Sequence, residues 1–376
     1  MPEQETVAPK IPHRYGLTHT SNSDNECASE LDRNHVITVV QTKKPLGKRF
    51  HKNPDGTVSK ESIIKMGVGT AVMYHVSTPE SLKTLLEKVG NDPRAAIINS
   101  SFEGIEIGET FYIGTARAIE RMTGIPKSDR ARQKGVHNIV QNGKTYKVIG
   151  RFKENVRPSS WQLLDRDNDA HTPEQFSKMS PMAWLKAVLR LIPGATEVTY
   201  CHAPSTSSRV LLDGVPVGGD NGHFGVQFSD AADVERFRTA VLVSAVENGM
   251  SWRKPRHSRT DPDTVIGYSL TTLIDTSVLT PGRLVFVGKP VVGSGLTVAA
   301  LVVTIHRSES TPRLDTTKLV LPSGDRIREV TRNAGVEMSV QGSASGLKVT
   351  SSDLTLDTDR DCRRQCHYGS CTVGAW

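Results

Sequence analysis

No run in this chain approaches the ~20 apolar residues that a membrane span needs. The polar stretch Met1 to Pro12 has neither the charged start nor the apolar centre of a secretory signal, so a cytoplasmic location is expected. Cysteine is scarce and odd in number. There are five, with Cys27 and Cys201 isolated, which argues against a disulfide framework. The other three, Cys362, Cys366 and Cys371, gather with His367 near the end. They supply enough donors for one zinc ion, but the spacing matches no standard finger, and a frayed polar extension is the expectation. None of the twelve histidines stands two residues from another. A replication-initiator or relaxase nuclease, which needs a His-x-His pair and a nearby nucleophilic tyrosine, therefore falls well behind. No Gly-x4-Gly-Lys-Ser/Thr loop occurs, so a fused P-loop motor is missing.

What is present in excess is positive charge. The net charge is +7 over 376 residues, a length that suits two or three domains. The basic side chains are grouped: Lys43, Lys44, Lys48, Arg49 and Lys52; then Arg130, Arg132 and Lys134; then Arg253, Lys254, Arg256 and Arg259. Any one group reads as a solvated loop. Three of them favour a polyanionic partner such as nucleic acid.

Residues 1–35 are polar and are expected to be disordered. Residues 36–157 read as an α/β module closed by a basic linker over 127–157. In it, Thr78-Pro79 starts a helix with Leu82, Leu85, Leu86 and Val89 at helical spacing, and Gly90 ends it. Residues 158–307 read as strands over 159–165, 196–201, 223–228, 268–275 and 283–287. Helices after Ser180-Pro181 and after Ser229 or Asp230 interrupt them. That order is β-α-β-β-α-β, an α+β core of RRM-like or ferredoxin-like split-βαβ type, with one sheet face free for a ligand. Residues 308–376 are expected to be loosely folded.

Inside that core, Trp161-Gln162-Leu163-Leu164-Asp165-Arg166-Asp167 is an apolar strand ending in two acids one residue apart. Side chains at i and i+2 share a face, so Asp165 and Asp167 converge while Arg166 points away. Two carboxylates side by side repel unless a proton or a hard cation separates them, and Mg²⁺ or Mn²⁺ suits that donor set. Asp-x-Asp also occurs in solvated turns. The apolar approach Leu163-Leu164 and two downstream partners lift this one. Ser205, Ser207 and Ser208 with Arg209 form a hydroxyl-rich turn that could cradle a triphosphate. Asn221-Gly222-His223 opens the next strand with an imidazole able to donate to a phosphate. Leu273-Ile274-Asp275 repeats the pattern of apolar strand, then acid. In Trp252-Arg253-Lys254-Pro255-Arg256 an aromatic stands beside cations, which suits single-strand stacking; a core position for Trp252 is as good a reading.

The ordered set Asp165-x-Asp167, Asn221-Gly222-His223 and Ile274-Asp275 resembles the catalytic core of the archaeo-eukaryotic primase superfamily, nearest to phage and plasmid primase-polymerases. The likeness covers about 155–300. Asn221 departs from the small residue that the family carries two before its histidine. The resemblance implies nucleotidyl transfer with two divalent ions, Mg²⁺ or Mn²⁺, on Asp165, Asp167 and Asp275. It also implies an NTP or dNTP held by His223, Arg209 and the serines, and a single-stranded DNA template along Trp252, Arg253, Lys254 and Arg256. A helicase would be a separate chain, and a phage protein would work in its host's cytoplasm. A non-catalytic single-strand-binding module is the rival expectation.

Overall fold

In a computed structural model of the chain, residues 34–63, 66–258, 260–261 and 263–330 are described. The fold is mixed α+β, built around two principal sheets. The first unit runs β1 (Val36–Gln41), β2 (Lys48–Lys52), β3 (Val58–Ser62), β4 (Val68–His75), α1 (Pro79–Val89), β5 (Ala95–Ile98), β6 (Ser100–Phe102), β7 (Thr110–Gly114), α2 (Ala116–Thr123), α3 (Arg130–Gln133), β8 (Val136–Gln141) and β9 (Lys144–Gly150). Its main sheet has the order β5-β1-β4-β7-β9-β8. The stretch expected as a basic linker is instead largely the β8–β9 hairpin, turned by Asn142 and Gly143 at positive φ. Strands β2 and β3 stand outside this sheet as an antiparallel ribbon, and Val291–Val292 later in the chain pairs parallel with β2 to make a three-stranded sheet.

Helix α1 forms where expected. Thr78 and Ser81 make a reciprocal capping box, Pro79 takes the first turn, and Leu82, Leu85, Leu86 and Val89 are buried. Gly90 closes it for a different reason from the one expected. Its φ is −63°, an ordinary helical value, and a Cβ there would lie 2.0 Å from Leu301 Cδ2. Space, not backbone freedom, demands the glycine.

The second unit runs β10 (Val156–Pro158), β11 (Trp161–Arg166), α4 (Glu174–Ser177), α5 (Pro181–Arg190), β12 (Tyr200–Pro204), β13 (Val210–Leu212), β14 (Val215–Pro216), β15 (Gly222–Gln227), α6 (Val234–Glu247), β16 (Ser251–His257), β17 (Val265–Thr272), β18 (Val291–Val292), β19 (Leu296–Val298) and β20 (Thr304–His306). Its principal sheet has the order β11-β15-β12-β20, with every neighbour antiparallel. Residues 265–272 do not join it; β17 pairs with β16 in a separate hairpin. Around 283–287 only Val285 pairs, in a single bridge to Ile97 of the first sheet. The fourth strand of the sheet is therefore β20, on the outer edge of β12.

Both faces of this sheet are covered, contrary to the expectation of a free face. On one side Trp184 of α5 stacks on Phe224 with ring centroids 4.8 Å apart. On the other lies α1 of the first unit. Leu82 Cδ2 sits 2.6 Å from where a Cβ on Gly225 would be, and the Trp161 ring N–H donates to the Val76 carbonyl at 2.7 Å. One continuous apolar core results, from Ile37 to Leu319. Each fully buried side chain of that kind contributes roughly 1.5–3 kcal/mol. Residues 308–330 contribute to it through Leu314 and Leu319, so that part of the chain is packed rather than loose. Residues 1–33 and the cluster Cys362, Cys366, His367 and Cys371 lie outside the described residues.

Candidate active site

The expected acids stand at the end of the second sheet, where the β11–β15 ladder stops. Leu163, Gly225 and Cys201 form a cross-strand row beneath α1; Asp165, His223 and Ala203 form the next row on the same face. His223 Nδ1 approaches Asp165 Oδ1 to 3.1 Å. The alignment is not that of a hydrogen bond, and both ring nitrogens of this buried histidine lack a partner. An orphaned imidazole beside a partly exposed carboxylate is a poor end state for a core and a good start for ligand binding.

Asp167 lies just past the end of β11. By surface area it is exposed, yet burial of its carboxyl by surrounding protein is the main reason its pKa is raised, with Asp165 adding to the rise. A carboxyl can touch water and still have protein atoms around much of it. Lys48, Lys60 and Lys254 act in the opposite direction. Arg166 points away, as its place between the two acids requires. It is buried, donates to the carbonyls of Asp220 at 2.7 Å and of Met179, and its pKa is lowered by desolvation.

Asp275 comes back to the same place from more than a hundred residues along the chain. Its backbone N–H donates to the Asp165 carbonyl at 3.3 Å. The Trp184 ring N–H fixes the approach by donating to the Leu273 carbonyl at 2.9 Å. The Asp275 side chain, however, accepts from the Ser277 N–H at 2.9 Å and caps a short 3₁₀ turn, Thr276–Leu279. No group of three or more His, Cys, Asp or Glu side chains among the described residues is arranged to hold a metal ion. The donor set fits a hard cation in a narrower sense. Asp165 and Asp167 offer adjacent carboxylates, which suffice for Mg²⁺ when phosphate oxygens and water complete its shell.

The serine turn stands beside these residues. Pro204 and Ala203 pair with Gly222 and His223, and the hydroxyl of Ser205 lies 3.0 Å from that of Ser207 and 3.1 Å from that of Ser208. Ser208 Oγ donates to the Asn221 carbonyl at 2.8 Å, and the Ser205 N–H donates to it at 2.9 Å. Arg209 does not belong to the group. It is buried at 2 % exposure, donates to the carbonyls of Gly90 at 2.9 Å and Ala299 at 3.2 Å, and desolvation lowers its pKa. It ties the two units together and cannot face a nucleotide.

On the β16–β17 hairpin, Trp252 stacks on Phe176 with centroids 5.5 Å apart and is partly buried, the second of its two readings. Lys254 forms an ion pair with Asp169; desolvation raises the pKa of that acid, but Lys254 and the His171 N–H together outweigh it and the net shift is downward. Arg256 is exposed, and Arg253 is half-buried. Of the middle basic group, Arg130 lies over the Phe152 ring at 3.2 Å, and Lys134 and Arg130 both reach Glu154 at 3.7 Å.

Three residues had no recognised part in the sequence reading. Asn221 figured only as a departure from a motif, while Lys60 and His202 carried no signal at all. No family model, no curated protein and no solved structure matches this chain. Among the described residues no helix is long and apolar enough to cross a membrane.

Proposed function

We propose that this chain is a template-dependent nucleotidyltransferase of primase-polymerase type, working in phage or plasmid DNA replication. One observation carries the reading. Asp165, His223 and Asp275, from three distant segments, meet at one sheet end through a cross-strand pair and a backbone hydrogen bond. The β11-α5-β12 crossover with β15 between its strands supports a split-βαβ core of RRM-like kind, with the fourth strand displaced to β20.

Asp165 and Asp167 would hold Mg²⁺ or Mn²⁺, with Asp275 adjoining; the ion would neutralise phosphate charge and acidify the attacking 3′-hydroxyl. His223, whose ring nitrogens make no hydrogen bond within the described residues, donates to a phosphate oxygen of the NTP or dNTP. The hydroxyls of Ser205, Ser207 and Ser208 and the turn's backbone amides surround the same phosphates. The chain's contribution is positioning and charge neutralisation rather than covalent chemistry. Single-stranded DNA template passes along Arg253 and Arg256. A helicase acts as a separate partner.

The test is extension of a primed single-stranded template with labelled nucleotides in Mg²⁺ or Mn²⁺. Incorporation that Asp165→Ala abolishes, with single-strand binding retained, supports the reading. The Asp275 side chain, committed to its own turn, favours the rival of a non-catalytic single-strand-binding module. Binding without any incorporation would select that rival.

A further inference from the structure

We propose that the β2–β3 ribbon of the first unit completes the nucleotide pocket, with Lys48 and Lys60 gripping the phosphate chain of the incoming triphosphate; this rests on the reading of the site above. In the ribbon, Lys48 pairs with Ser62 and Phe50 with Lys60. Opposed residues share a face, as do positions i and i+2, so Lys48, Phe50 and Lys60 all project the same way.

That face looks toward the second unit. Phe50, 2 % exposed, packs with Val210 and Leu296, and Val210 directly follows the serine turn and Arg209. Lys52, also on this face, reaches Asp213 at 4.0 Å. At the other end, Gly47 lies against Phe286, whose carbonyl accepts from the Thr206 hydroxyl at 3.0 Å, inside the serine turn. The ribbon face that carries Lys48 and Lys60 thus packs beside the turn that holds Ser205 and Ser208. On the opposite face the basic side chains have a partner, Arg49 with Glu61 at 3.2 Å and His51 with the same acid at 3.3 Å.

Lys48 and Lys60 have no ion pair within the described residues, and they lie on the ribbon face that packs against the second unit. Two cations, a hydroxyl turn and an orphaned imidazole around an acid pair form a site of alternating charge. A phosphate chain with a divalent ion complements it: the ion sits on the carboxylates and the remaining oxygens meet the lysines. Free phosphate-backbone contact by the same lysines is the competing source of this chemistry, and the experiment separates the two.

Binding of inorganic tripolyphosphate with Mg²⁺ to the full chain is measured by calorimetry, and binding of a single-stranded oligonucleotide in parallel. Lys48→Met/Lys60→Met should weaken tripolyphosphate about tenfold or more and leave the oligonucleotide affinity unchanged. Lys48→Arg/Lys60→Arg, which keeps charge and fold, should stay within about threefold of wild type, since only the geometry of the donor changes. Wild-type tripolyphosphate binding in the methionine variant overturns the proposal, and so does a wild type that binds none. Loss of oligonucleotide affinity alone also overturns it and makes the ribbon a DNA surface. Lysine-dependent tripolyphosphate binding in a chain that never incorporates nucleotide would leave this site standing and reject the polymerase reading.

Discussion

Asn221 clasps Asn168 by both ends of its side-chain amide: Oδ1 accepts from the Asn168 N–H at 2.8 Å, and Nδ2 donates to the Asn168 carbonyl at 3.0 Å. The amide thereby imitates a strand partner for the residue that follows Asp167, beyond the last ladder pair of β11. Its own carbonyl receives the Ser205 N–H and the Ser208 hydroxyl. One residue thus links the acid pair to the serine turn.

Asn221→Ala should therefore cost about 1–2 kcal/mol, because it leaves two part-buried backbone groups of Asn168 unpaired. It should also lower nucleotide incorporation at least tenfold while oligonucleotide affinity stays the same, through loss of Asp167 placement. Urea denaturation and steady-state kinetics read the two effects separately. An alanine variant with wild-type turnover would remove Asn221 from the site.

The raised pKa of Asp167 has a sign that can be tested without activity. A carboxyl raised above its unfolded value of 3.8 favours the protonated fold, so its contribution to stability falls as pH rises through the window just above 3.8. In metal-free buffer at neutral pH, Asp167→Asn should then melt at a higher temperature than wild type. Added Mg²⁺ should raise the wild-type melting temperature and leave that of the variant unmoved. Equal Mg²⁺ responses in a thermal-shift titration would place the ion elsewhere.

Arg209 is expected to act on folding and not on substrate. Arg209→Met leaves the Gly90 and Ala299 carbonyls without their donor and removes a link between the units, a loss of about 2–4 kcal/mol. Below the unfolding transition the nucleotide KM should equal that of wild type. A raised KM with normal stability would return Arg209 to the phosphate cradle.

The elements that were legible in sequence are those governed by local chemistry. Thr78-Pro79 and Ser180-Pro181 start helices because capping and proline act within one turn, and Trp161 to Asp165 reads as a strand because its apolar run is short and bounded. The meeting of Asp165 with His223 was legible only as an order of motifs. What could not be read was which surfaces long-range packing would use. Arg209 looks like a ligand in a polar turn and becomes a tie because α1 and Ala299 close over it. Residues 265–272 have strand composition, but nothing local states that β16 rather than β11 is their partner. Lys60 is one more exposed lysine until the ribbon register and Phe50 burial turn it toward Asp167.

His202 and Gly222 share too little space for either to change freely. Gly222 is outside the left-handed region, and a Cβ on it would lie 2.6 Å from His202 Nε2 and 3.0 Å from the Ala203 carbonyl. His202 itself packs against Phe224 with ring centroids 4.8 Å apart at a 35° tilt, its Nε2 has no hydrogen bond, and burial first, then the charges of His306 and His223, push its pKa down to about 4. A histidine depressed below its unfolded value of 6.5 contributes stability that is present above 6.5 and is lost as pH falls toward 4. With a discount for its partial exposure, that loss is on the order of 2 kcal/mol. Urea denaturation of wild type and His202→Gln at pH 7.5 and pH 5 should show a smaller decline in the variant. Gly222→Ala should cost about 1–3 kcal/mol in the wild-type background, as overpacking does. In a His202→Ala background that cost should shrink, with the Ala203 carbonyl preventing full relief. Strict additivity of the two changes would mean that the imidazole does not occupy the space over Gly222.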